Sequence, residues 1–172
     1  ILTIQSKGIL AFVRVGENND RIIKRVLDAG ADGIIVPMIN NKEEAIKAIN
    51  SVNYPPFGTR GVGLARAQDY GYGFEKYKNK KAKNIKLIVQ IEHIDGIKNL
   101  EEIISLDGVH GTFIGPYDLS ASMGKPGKFE DDDVVEALNA YKKIAIPYDK
   151  KIGIHVVDPD FKKVLEKKKW RI

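Results

Sequence analysis

The sequence predicts an α/β fold in which helices cover a parallel sheet, and three observations carry that prediction. Five short apolar runs alternate with stretches whose apolar residues recur at helical spacing. The runs are apolar on successive residues, as strands buried on both faces are. The polar residues Arg14, Gln90, Glu92 and Asp118 fall at or near the carboxyl ends of different runs, where a TIM barrel gathers its chemistry. No glycine-rich dinucleotide fingerprint follows any run, which weakens the open doubly wound alternative. The expectation is an incomplete TIM barrel with about five of its eight βα units, forming a single partial domain over residues 1–172.

The first strand is expected over Ile9–Val15, bounded by Gly8 and Gly16. Asn18, Asn19 and Asp20 then offer N-caps to a helix carrying Ile22, Ile23, Val26 and Leu27, which Gly30 stops. The unit repeats as a strand over Gly33–Met38 and a helix on Ala45, Ile46 and Ile49, with Asn40 and Glu43 spaced as a capping box. Val52 to Gly73 is rich in proline and glycine, and so long a loop in a compact domain is usually functional or flexible.

The third strand is Leu87–Glu92, followed by a helix on Ile97, Leu100, Ile103 and Ile104. Val109–Ile114 is the fourth, leading through a Gly115-Pro116 turn to a helix on Val134, Val135, Leu138, Tyr141 and Ile144 that Pro147 ends. Ile152–Val157 is the fifth, with a helix on Phe161, Val164 and Leu165 after it.

Composition narrows the function classes. With 172 residues, 43% of them apolar, the chain can bury a substantial core. The absence of cysteine excludes a disulfide framework, a thiolate metal site and a cysteine nucleophile, and fits a reducing cytoplasm. No apolar run has the roughly 20 residues a bilayer span requires, so no membrane role is expected. The net charge of +5 resides largely in lysine clusters at 76–86 and 162–169 with little aromatic interleaving. That pattern reads as a solvated face, with no nucleic acid as partner.

Glu92 and Asp118 supply hard anionic oxygens at two strand tips, a donor set for Mg²⁺ or Mn²⁺ that leaves positions for a chelating 2-oxo acid. An ion there would polarise the ketone and stabilise an enolate, Arg14 would answer the developing oxyanion, and Gln90 would donate a hydrogen bond. Structural readings stand beside these: Glu92 could pair with a lysine, Asp118 could cap the turn before Leu119, and Arg14 could form a rim ion pair. Arg60 and Arg66 are read as holding the long loop to backbone carbonyls, and His155 as a packed histidine or a pocket wall. Schiff-base chemistry needs a desolvated lysine at a strand tip, and none of the lysines occupies one.

Together, FVRV, GADGIIVPMINNKEEA, YPPFGTRGVGLARA, LIVQIE, GVHGTFIGPYDLSASMG and GIHVV, in that order, resemble the HpcH/HpaI aldolases. These are metal-dependent class II enzymes that join or cleave pyruvate-like enolates and aldehydes. The resemblance implies a TIM barrel of the phosphoenolpyruvate/pyruvate type, with Glu92 and Asp118 as ligands of Mg²⁺, Mn²⁺ or Co²⁺ and Arg14 as the substrate and enolate arginine. It also implies Gln90 as a substrate donor and a 2-oxo acid pocket lined by Gly115, Pro116 and Tyr117, with His155 on the acceptor side. Small-molecule 2-oxo acid and aldehyde substrates, and homo-oligomers built as hexamers of dimers, belong to the same expectation. By the family pattern the general-base histidine and its aspartate precede Ile1, and a last strand and exchanged helix follow Ile172, so a fragment of a longer enzyme is expected. A citrate-lyase-like acyl-CoA lyase and a non-catalytic binding module that lacks the base are the alternatives.

Overall fold

The computed structural model describes residues 1–156. Its strands are β1 (Phe12–Arg14), β2 (Gly33–Val36), β3 (Lys86–Ile91), β4 (Gly111–Ile114) and β5 (Lys151–Ile154), and they form one sheet in chain order. β1 pairs parallel with β2, and β4 parallel with β5. The expected α/β class and parallel sheet are therefore observed. The helix expected on Phe161, Val164 and Leu165, the lysine cluster at 162–169 and the last residue of the expected fifth strand, Val157, lie outside the described residues. Two compact units divide the described residues: 1–37 with 43–88, and 38–42 with 89–156.

In the first unit, a short helix α1 (Leu2–Gln5) precedes β1, and α2 (Asp20–Asp28) begins where Asn19 accepts hydrogen bonds from the amides of Arg21 and Ile22, so the middle of the three candidate caps is the one used. Ile23 and Leu27 of α2, Ile34 and Val36 of β2, and Ala45 and Ala48 of α3 (Lys42–Val52) are fully buried. β1 is shorter than the run Ile9–Val15 because Ile9 and Leu10 are exposed and the Ala11 amide donates to Asp32 Oδ2 at 2.9 Å. In the Phe12–Gly33 pairing the Phe12 ring lies over Gly33, where a Cβ would meet it unless the ring moved aside.

β2 also stops early. Pro37 has no N–H to give a ladder, and Met38 turns into the left-handed region at φ 54°. The expected loop from Val52 to Gly73 contains a 3₁₀ segment, Arg66–Gly71, and the one-turn helix α4 (Phe74–Lys76) follows it. Lys76, Lys80, Lys81, Lys83 and Lys86 are exposed, as a solvated lysine face should be.

The second unit buries Val89 and Ile91 of β3, Ile114 of β4, Leu119 of α7 (Pro116–Ser122), and Val134 and Tyr141 of α8 (Asp132–Ala145). The single helix expected after β3 is two, α5 (Ile94–Lys98) and α6 (Leu100–Ile104), separated by Asn99 at φ −99°, ψ 9°. Its side-chain amide donates to the Asn40 carbonyl at 2.8 Å. β4 starts at Gly111 because the Val109 amide is used in a turn to Leu106. α8 ends two residues before Pro147, as its missing donor requires.

Candidate metal and substrate site

β3 places Gln90 and Glu92 two residues apart, hence on one side of the chain where it leaves the sheet. Gln90 Nε2 donates to Glu92 Oε2 at 2.6 Å, and the Met38 amide donates to Oε1 at 3.0 Å. Gln90 is 5% exposed and Glu92 2%, so the carboxylate is buried with a donor on each oxygen.

Gly115 closes on the same group. A Cβ there would lie 3.1 Å from Glu92 Oε2 and 3.3 Å from Gln90 Nε2, so a larger residue would press on the carboxylate and its amide partner. Gly115 is the N-cap of α7 and Pro116 its first residue, a position that suits proline. Asp118 thus stands in the first turn of a helix, exposed, rather than in the loop the sequence suggests. A negative charge is favoured there. Ser120 helps to hold this turn: its Oγ donates to the Tyr117 carbonyl at 2.8 Å and accepts from the Gly127 amide at 3.0 Å.

The remaining expected site residues are dispersed. Tyr117 is half-exposed and packs edge-on against Phe129 at 4.6 Å. His155, just past β5, is exposed, its ring centroid 6.3 Å from that of Phe113 and its amide bonded to the Ile114 carbonyl at 3.0 Å. Arg14, in the first unit, ends β1 with its side chain exposed and Nη1 3.4 Å from the Val15 carbonyl. The structure thus gathers Gln90, Glu92 and Gly115 in direct contact.

Two features were not anticipated from sequence. One is Met38, which closes the apolar run of β2 in the sequence but leaves the strand after Pro37. The other is a buried polar cluster in the first unit: Arg60 Nη2 pairs with Asp28 Oδ1 at 2.7 Å, and its guanidinium lies 4.6 Å from the centre of the Tyr54 ring. Arg60 Nη1 meets the Tyr77 hydroxyl at 3.1 Å, and Gln68 Nε2 donates to both Asp28 and Tyr54. Burial pushes the Asp28 carboxyl up, but hydrogen bonds from Lys24, Arg60 and Gln68 outweigh it and hold the group below its usual value. Arg60 therefore anchors the loop through an ion pair instead of carbonyls. Arg66 does use a carbonyl, that of Ala29, through Nε at 2.8 Å and through Nη2.

Oxygen donors alone suit a hard divalent ion. Among the described residues no group of three or more His, Cys, Asp or Glu is arranged to hold one. The buried, oriented carboxylate of Glu92 and the exposed one of Asp118 are each of the oxygen-donor type that an ion such as Mg²⁺ takes.

The sheet and this site define an α/β protein with a candidate oxygen-donor metal centre at the ends of β3 and β4. The chain belongs to the HpcH/HpaI aldolase/citrate lyase family, whose sequence model matches residues 2–165. It is 41% identical over 148 residues to a hydroxypyruvate/pyruvate aldolase of Sagittula stellata, covering 85% of this chain and 56% of that protein. It is 37% identical over 167 residues to a 5-keto-4-deoxy-D-glucarate aldolase of an Enterobacter species, covering 96% and 65%. The chain thus spans just over half to about two thirds of these relatives' lengths.

Among solved structures, an HpcH/HpaI aldolase/citrate lyase family protein from Burkholderia cenocepacia superposes with a TM-score of 0.84 at 29% identity, covering 94% of this chain and 64% of that one. A citrate lyase beta subunit from M. tuberculosis, complexed with oxaloacetate and magnesium, shares the fold at a TM-score of 0.58 and 16% identity, over 91% and 60%. The expected TIM-barrel-like class is that of these aldolase neighbours. Among the described residues no helix is long and apolar enough to cross a membrane.

Proposed function

We propose that this chain carries the metal and 2-oxo acid half of a class II aldolase, which makes or breaks a carbon-carbon bond between a pyruvate-type enolate and an aldehyde. The observation that carries the reading is the buried Glu92 carboxylate, oriented by Met38 and Gln90 and closed over by Gly115. The names of the aldolase relatives, which act on 2-oxo acids, support the substrate class.

Glu92 and Asp118 would hold a divalent ion, Mg²⁺, Mn²⁺ or Co²⁺. Bound there, the ion would act as a Lewis acid on the substrate's 2-oxo group. The chain's own residues do the rest. Gly115, Pro116 and Tyr117 line the 2-oxo acid, with the Gly115 approach restricting the room beside Glu92. Arg14 offers a cationic donor to the oxygen on which charge develops. Gln90, whose amide is bonded to Glu92, serves as the hydrogen-bond donor to substrate. His155 stands on the aldehyde side. Homo-oligomeric assembly and a cytoplasmic setting complete the proposal.

The test is exchange of the pyruvate methyl protons with deuterated water, followed by NMR in a full-length protein containing this chain. Exchange should require Mg²⁺ or Mn²⁺, stop in chelator, and fall at least a hundredfold in Glu92→Gln and in Asp118→Asn. Metal-independent exchange, or wild-type rates in both variants, would sink the reading. Because the family model covers citrate lyases as well, lysis of a CoA thioester is the second reading. Cleavage of a malyl- or citramalyl-type CoA ester, with free 2-oxo acids ignored, would favour it.

A further inference from the structure

We propose that Met38 is a positioning residue whose left-handed backbone aims its amide at Glu92 and so sets the carboxylate for metal; this rests on the reading of Glu92 as a metal ligand. Met38 has φ 54°, a region that residues with a side chain seldom occupy and that persists only where the surroundings over-determine it. Here they do. The Met38 amide donates to Glu92 Oε1 at 3.0 Å, and the next amide, Ile39, donates to the Gln90 carbonyl at 3.2 Å. The Ile39 carbonyl packs on Gly96, where a Cβ would approach it to 2.9 Å, and the Asn40 carbonyl accepts from Asn99 Nδ2 at 2.8 Å. Three consecutive residues are therefore tied to the end of β3 and the helices that follow.

The side chain does not account for this arrangement. Met38 is 46% exposed, so core packing is not what holds the turn. What the turn delivers is a single N–H, opposite the Gln90 amide on the other carboxylate oxygen. A donor on each oxygen fixes the plane of the carboxylate. Partners that orient metal ligands in this way typically change affinity about 10- to 100-fold when lost. Pro37 contributes by having no N–H to extend β2, which leaves the chain free to turn at Met38.

The experiment measures Mn²⁺ affinity of the full-length protein by the EPR signal of free Mn²⁺, with melting in chelator as the control on folding. In one variant Met38 is replaced by its α-hydroxy analogue, which exchanges only the amide N–H for an ester oxygen. The others are Met38→Val, Met38→Gly and Glu92→Gln. The ester is expected to weaken Mn²⁺ at least tenfold while melting in chelator within a few degrees of wild type. Met38→Val should weaken it similarly, and Met38→Gly, which favours the same φ, should stay within about threefold. If Met38→Val fails to fold, the ester and Met38→Gly decide the matter. Wild-type affinity in the ester, with binding lost in Glu92→Gln, overturns the role of Met38 and leaves the metal site standing. A loss in Met38→Gly as large as in Met38→Val also overturns it, because the side chain would then be responsible. No Mn²⁺ binding by the wild type removes the metal reading itself.

Discussion

Single residues decide two separate things in this chain. Glu92 is buried and, on the proposed function, receives an ion, whereas Asp28 is buried to hold one that is already there, the Arg60 guanidinium. A buried pair is not in itself a source of stability, but breaking it by removing one partner leaves an uncompensated charge and costs about 3–5 kcal/mol. Asp28→Asn should fall near the low end, about 3 kcal/mol at neutral pH, because the amide can still accept from Gln68. The pH dependence has a definite sign. Since the folded carboxyl is held below its ordinary value, the native state binds fewer protons than the unfolded chain between the two pKa values. Asp28 thus contributes fully above the unfolded value, and its contribution is lost as pH falls through the folded one. Urea melts from pH 7 down to pH 3 should show the gap between wild type and Asp28→Asn narrowing below about pH 4. A gap that stays constant would mean that the charge on Asp28 is irrelevant.

At the level of elements, helix starts rest on side chains that a sequence displays openly. Asn19 accepts from two amides at the start of α2, and such a cap is worth about 1 kcal/mol against alanine. Asn19→Ala should therefore lose about that much in urea denaturation, and Asn19→Asp should recover it; equal stability of all three would show the cap to be idle. The strands were legible because buried parallel strands read as apolar runs, and the carboxyl-end position of Glu92 followed directly. What was not legible depended on partners far along the chain. The apolar Ile9 and Leu10 stay outside β1 because Asp32 claims the Ala11 amide. Met38 leaves β2 to reach Glu92, 54 positions on. Asn99 divides an otherwise regular helical pattern while its side chain serves the Asn40 carbonyl. The loop from Val52 displays its proline and glycine content openly, yet its anchor is hidden in the sequence because Arg60 and Asp28 are 32 positions apart and no local spacing joins them.

For the whole molecule, a metal held by two carboxylates should register as stability, since an ion that binds the folded chain and not the unfolded one stabilises by mass action. At a free concentration of one hundred times Kd the gain is about 2.7 kcal/mol. Each kcal/mol moves the melting temperature of a protein of this size by about 2–4 °C, so saturating Mn²⁺ should raise it by about 5–11 °C over the same protein in chelator. The rise should grow with the logarithm of metal concentration above Kd, a dependence that nonspecific salt screening does not produce. Glu92→Gln, which keeps the side chain's volume but not its charge, should melt at the same temperature with and without metal. Scanning calorimetry across a Mn²⁺ series distinguishes these outcomes: a shift that survives in Glu92→Gln would locate the ion elsewhere. A shift that vanishes there ties the stability of the fold to the carboxylate that Met38 and Gln90 hold in place.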